Sequence, residues 1–142
     1  MITRTFKILL VEDNPADIRL VEEAFKETGI DTELHSVTDG VAAMEYLYNI
    51  INSNGENLPD LILLDLNLPK KDGREVLVEI KENNDLRRIP VIILTTSSSE
   101  EDVIETYTNY ASSYVVKPAN VGHFIETLKN LEEYWFNLIR LP

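Results

Sequence analysis

Short continuous apolar runs alternate along this chain with stretches of helical spacing, and that alternation confines it to one kind of architecture. Phe6-Lys7-Ile8-Leu9-Leu10-Val11, residues 61–64, residues 91–94 and Ser113-Tyr114-Val115-Val116 are the apolar runs, and Thr32-Glu33-Leu34-His35-Ser36-Val37 is a weaker, alternating one. Runs of this length read as strands buried on both faces, as in parallel sheets. Between them, Asn14-Pro15 opens a helix with Ile18, Val21 and Phe25 on one face, and Gly29 stops it. Asp39-Gly40 opens a second with Val41, Met44, Leu47 and Ile51 on one stripe, and Asp72-Gly73 a third with Val76, Leu77 and Ile80. Ser98 and Glu101 have capping-box spacing ahead of a fourth, and the fifth begins near Asn120 and runs past Trp135. Five strands alternating strictly with five helices predict an α/β fold, a doubly wound parallel sheet with helices on both faces.

Composition narrows the partners. At 142 residues the chain is expected to be one domain with no output domain, with a surface loop over residues 52–59. It contains no cysteine, which excludes thiolate metal sites and cysteine nucleophiles, and its two histidines, His35 and His123, are far apart. The net charge of −12 argues against nucleic acid as a partner. No apolar run approaches the ~20 residues that span a bilayer, and no signal-peptide layout is present, so a cytoplasmic, membrane-free protein is expected. None of the five glycines has P-loop or dinucleotide spacing.

In open parallel sheets ligands bind beyond the carboxyl ends of the strands. There the first run ends Glu12-Asp13-Asn14, the third Asp65-Leu66-Asn67, the fourth Thr95-Thr96-Ser97 and the fifth Lys117-Pro118. Each has an ordinary reading alone: Glu12 and Asp13 as a solvated turn, Asp65 as a strand-end cap, Thr95 as a β-residue, Lys117 as a surface charge. Together they place three carboxylates, a hydroxyl and an ammonium on one edge. Clustered carboxylates need a cation, and an oxygen-only set suits a hard ion such as Mg²⁺. A carboxylate beside that ion can attack phosphorus, with Lys117 and Thr95 neutralising and binding the phosphoryl oxygens. Asp65 is the best placed nucleophile and Asp13 the best direct metal ligand, with Glu12 acting through water.

These stretches, with Leu68-Pro69, Asp72-Gly73 and Ile89-Pro90, resemble the receiver domain of two-component response regulators, the CheY-like, flavodoxin-like (βα)5 fold. The resemblance spans residues 8–118 and its helical spacing extends to about residue 135. It implies the strand order 2-1-3-4-5. It implies Asp65 as phosphoacceptor for a sensor histidine kinase. Glu12 and Asp13 become the acidic pair for Mg²⁺, with the Asn67 backbone carbonyl as third protein ligand. Thr95 and Lys117 become a phosphate-sensing pair and Tyr114 an aromatic switch, and the Lys117-Pro118 bond is usually cis in the family. Asn67 and Ser97 stand where the family tunes acyl-phosphate lifetime, and neither is acidic. Thr96 stands where many relatives carry alanine. More loosely, Thr95-Thr96-Ser97, the 52–59 loop and the aromatic ending Glu133-Tyr134-Trp135-Phe136 look like the single-domain regulators paired with bacterial phytochromes.

The resemblance implies signalling by phosphorylation rather than enzymatic turnover of other molecules. The phosphorylated state would reshape the face formed by the fourth helix, fifth strand and fifth helix for an unknown downstream protein. Aromatic residues late in the last helix predict a homodimer through that face. His35 reads as a surface strand residue, and His123 lies away from the acids. A haloacid-dehalogenase-like phosphatase wants an acid where Asn67 stands. A flavin carrier wants a phosphate-cradling loop where Glu12-Asp13 would repel phosphate. A receiver-like adaptor that takes no phosphate is opposed by the intact set of Glu12, Asp13, Asp65, Thr95 and Lys117.

Overall fold

A computed structural model describes residues 5–29, 31–95 and 113–116. Five strands form one parallel sheet: β1 (Phe6–Val11), β2 (Thr32–Val37), β3 (Leu61–Leu64), β4 (Val91–Thr95) and β5 (Ser113–Val116), in the order β2-β1-β3-β4-β5. The described helices are α1 (Pro15–Thr28), α2 (Gly40–Ser53) and α3 (Gly73–Glu82). Among the described residues no helix is long and apolar enough to cross a membrane.

Strand character follows position in the sheet. β1 and β3 lie in the interior, and Ile8 to Val11 and all of β3 are buried, as their unbroken apolar runs require. β2 is an edge strand, and its half-polar sequence leaves no residue fully buried. His35 is exposed there and stacks on Tyr46 of α2, ring centroids 4.3 Å apart. Burial, then the nearby Glu33 carboxylate, raises the Tyr46 hydroxyl above its ordinary pKa.

Each helix begins at a side-chain cap that satisfies amides its own turns leave free. Asn14 Oδ1 accepts from the Ala16 and Asp17 amides, Asp39 Oδ1 from Ala42, and Asp72 Oδ1 from Arg74. Gly29 closes α1 at φ 75°, a left-handed conformation that a side chain would penalise.

Alternation along the strands divides the core into two layers. Ile8, Leu10, Leu61 and Leu63 pack with Val21, Ala24 and Phe25 of α1. Leu9, Val11, Ile62 and Leu64 pack with Ala43, Met44 and Leu47 of α2 and Val76, Leu77 and Ile80 of α3. Helices therefore cover both faces of the sheet. Two expectations need correction. Val41 is 39% exposed, because the buried stripe of α2 runs through Gly40, Ala43, Met44 and Leu47, where small residues let the helix approach. Asn52 and Ser53 belong to the last turn of α2, so the loop starts at Asn54, and Pro59 within it is buried.

Candidate functional site: an acidic notch at the carboxyl edge

Strand register brings the carboxylates together. The Cα register pairs Val11 with Leu64 and Val11 with Val37. Both ladders continue one residue further: the Glu12 amide donates to Val37 O at 3.0 Å and the Asp65 amide to Val11 O at 3.0 Å. Glu12 and Asp65 are thus adjacent extensions of neighbouring strands. By alternation they extend the rows of Ile8 and Leu10, and of Leu61 and Leu63, on the side of α1. Leu66 turns to the opposite layer and is fully buried there, which anchors the chain just beyond Asp65.

Carboxylate oxygens of Glu12, Asp13 and Asp65 all lie within 4.8 Å of one another. Glu12 is 0% exposed and Asp65 5%, while Asp13 is open to solvent. The solvated-turn reading therefore fails for Glu12 and holds only for Asp13. Two buried carboxylates and a third at the rim repel one another, and a divalent cation relieves that repulsion. An all-oxygen donor set open on one side fits a hard divalent ion that keeps waters and accepts a phosphate oxygen. The Asn67 amide donates to Asp65 Oδ1 at 3.1 Å, which orients the Asp65 carboxylate.

The loop from Asp65 to α3 is held at several points. Gly73 N donates to Leu66 O at 3.0 Å, and Leu68 packs against the α2–α3 core layer. The Lys71 amide donates to Pro69 O at 2.8 Å around Lys70, whose φ of 66° is left-handed. That is a tight three-residue turn of the strained kind. Lys71 Nζ reaches Glu79 at 3.0 Å, and Lys70 Nζ lies 3.6 Å from Asp39 Oδ2.

Thr95 ends β4, its backbone in register with Val116, and Tyr114 is in register with Ile93. Leu64 pairs with Ile93, so Thr95 stands one residue further along than the level of Asp65, on the same edge. Lys117, the Lys117-Pro118 bond, Thr96, Ser97, His123 and the last two expected helices lie outside the described residues. Two residues that matter here were read from sequence only as helix openers. Gly40 and Gly73 both allow backbone contacts that a Cβ would block. The Asp-Gly pairs mark helix starts, whereas the contacts across them depend on tertiary structure.

The sheet order, the strand-end acids and their spacing define a receiver. The chain matches the response regulator receiver domain over residues 8–129 and belongs to that family, the phosphoacceptor side of two-component signalling. Among its relatives is response regulator Rcp1 of Synechocystis sp., 50% identical over 135 residues, covering 95% of this chain and 92% of that protein. The crystal structure of the phosphorylated cyanobacterial phytochrome response regulator RcpA superposes with a TM-score of 0.84 at 47% identity, covering 94% of this chain and 95% of that one. The Mn²⁺-bound form of Rcp1 superposes with a TM-score of 0.83 at 49% identity, covering 96% and 99%. The protein is a signalling receiver of a family that binds divalent metal, with a sensor kinase as its partner.

Proposed function

We propose that Asp65 is the phosphoacceptor and that Glu12 and Asp13, with Asp65 and the Asn67 carbonyl, hold Mg²⁺. The observation that carries this is the convergence of three carboxylates within 4.8 Å at the carboxyl edge, two of them buried. In the transfer, an Asp65 oxygen forms a bond to phosphorus as the bond from phosphorus to the kinase's histidine nitrogen breaks. That nitrogen keeps the electron pair and takes up a proton. A bound Mg²⁺ supplies neutralising charge for the incoming phosphoryl oxygens. The Asn67 amide fixes the Asp65 carboxylate, and the Thr95 hydroxyl and Lys117 ammonium are assigned to the remaining phosphoryl oxygens.

The same reading makes Tyr114 a switch residue. Phosphorylation biases the face of the fourth helix, β5 and the fifth helix only by as much as it stabilises one state over the other. Homodimerisation through that face belongs to this reading, and sedimentation at several concentrations with and without phosphate measures it. Likeness to RcpA supports a phytochrome-type kinase as donor, and the reading sets the exchange in the cytoplasm. Apart from its own phosphorylation and slow dephosphorylation, the protein is read as turning over no substrate.

Incubation with a small amido or acyl phosphate and Mg²⁺, followed by intact-mass measurement, is expected to give a single phosphoryl adduct that EDTA prevents. An adduct formed equally in EDTA, or rapid multiple turnover of phosphomonoesters, would contradict the assignment.

A further inference from the structure

We propose that the start of α2 is a template for the β3–α3 loop, so that Gly40 and Asp39 are positioning residues for the divalent-ion site. This rests on the assignment of Asn67 and the three carboxylates above. A Cβ built on Gly40 would lie 2.2 Å from the Lys71 carbonyl oxygen and 2.8 Å from the Lys71 Cβ. The first contact is with backbone, so no side-chain rotation relieves it, and Lys71 would have to retreat by about an ångström to reach ordinary contact. Asp39 works on the same loop. Its Oδ1 caps Ala42 at 2.7 Å while its Oδ2 lies 3.6 Å from Lys70 Nζ.

Lys70, the partner of Asp39 and the neighbour of Lys71, sits at φ 66°. A non-glycine residue persists there only when its surroundings over-determine it. Here the surroundings are α2 on one side and the core-packed Leu68 on the other. The far end of the loop is pinned to Leu66 by Gly73. Asn67 lies between pinned points, and its amide bonds the Asp65 carboxylate. A shift of Lys71 is therefore passed back toward Asn67 rather than absorbed in solvent. Displacements of this size at a reacting centre cost up to about a hundredfold in rate.

Gly40→Ala tests this against Ile80→Val, which thins the core near the far end of α3 and adds no atom against the loop. Intrinsic helix propensity favours alanine at position 40, so a loss there reports the contact and not the helix. In Gly40→Ala, Mg²⁺ affinity is expected to fall about tenfold or more. In the metal-free protein, hydrogen exchange at the Asn67 amide is expected to accelerate about tenfold. Ile80→Val should change neither. A second pair does not depend on Gly40→Ala folding. Lys70→Gly and Lys70→Val both lose the contact to Asp39, but only glycine accepts the left-handed backbone without strain. The valine variant should bind Mg²⁺ about tenfold more weakly than the glycine variant. Wild-type affinity and exchange in Gly40→Ala, or equal affinities in the Lys70 pair, would overturn the proposal. Failure of the wild type to bind Mg²⁺ or take phosphate would instead remove the function on which it rests.

Discussion

Asp65→Asn is expected to take no phosphoryl group from a small phosphodonor, while its fold and its strand pairing survive. Asparagine keeps the shape of the side chain and an acceptor oxygen for the Asn67 amide, now 3.1 Å from Asp65 Oδ1. Its carboxamide, however, is a poor nucleophile and brings no charge to a cation. The intact mass should stay unmodified under conditions that phosphorylate the wild type fully, and urea denaturation should still show one cooperative transition. Asp13→Asn separates the two roles of the acidic notch. It leaves the proposed nucleophile in place and removes one charge from three carboxylates that crowd within 4.8 Å. Screening at the exposed rim limits the relief to about 1 kcal/mol of added stability without metal. Mg²⁺ affinity should fall about tenfold or more in the same variant. An adduct on Asp65→Asn would mean that another side chain accepts the phosphate.

Why the strands were legible and the site only partly so has a physical explanation. Continuous burial on both faces writes itself into β1 and β3 as unbroken apolar runs, and the edge position of β2 writes itself as alternation. Caps are local, so Asn14, Asp39 and Asp72 marked their helices without help from the rest of the chain. The outward turn of Val41 was hidden because close packing buries Gly40 against the β3–α3 loop and Ala43 in the core, in preference to a larger apolar neighbour. Full burial of Glu12 was hidden for a different reason. Charge and sequence position suggest a turn, yet the residue still belongs to the β1–β2 ladder through its bond to Val37. Likewise, nothing local announces Lys70 as left-handed, and the close approach of Gly40 to the neighbouring Lys71 joins segments far apart in sequence.

Gly73→Ala should be the most damaging single methyl group added near the site. The new Cβ would stand 2.2 Å from the Asp65 carbonyl oxygen and 2.7 Å from the Leu66 Cα, so it meets the backbone of the proposed nucleophile itself. Two effects oppose each other. Replacing glycine by alanine in a helix gains up to about 1 kcal/mol, less at the first position of α3, where the turn is only beginning. Overpacking against fixed backbone costs typically about 1–3 kcal/mol, and at this separation the upper end or beyond is expected. The clash wins, with a net loss of about 2 kcal/mol and a fall in melting temperature of about 4–8 °C for a chain this long. Phosphorylation should suffer more than stability. Relief of the clash must move either α3, losing the bond from the Gly73 amide to Leu66 O, or the Asp65-Leu66 backbone, which carries the attacking carboxylate out of line. At temperatures where the variant is fully folded, its phosphorylation rate should be about ten- to a hundredfold below wild type. Leu47→Ala is the matched comparison: it empties fully buried volume in α2 at a cost of about 2–5 kcal/mol and adds no atom against the Asp65 backbone. Its folded fraction should phosphorylate at close to the wild-type rate. If the two variants lose rate only in proportion to their stability, the close seat of α3 beneath Asp65 is a packing device and has no part in aiming the nucleophile.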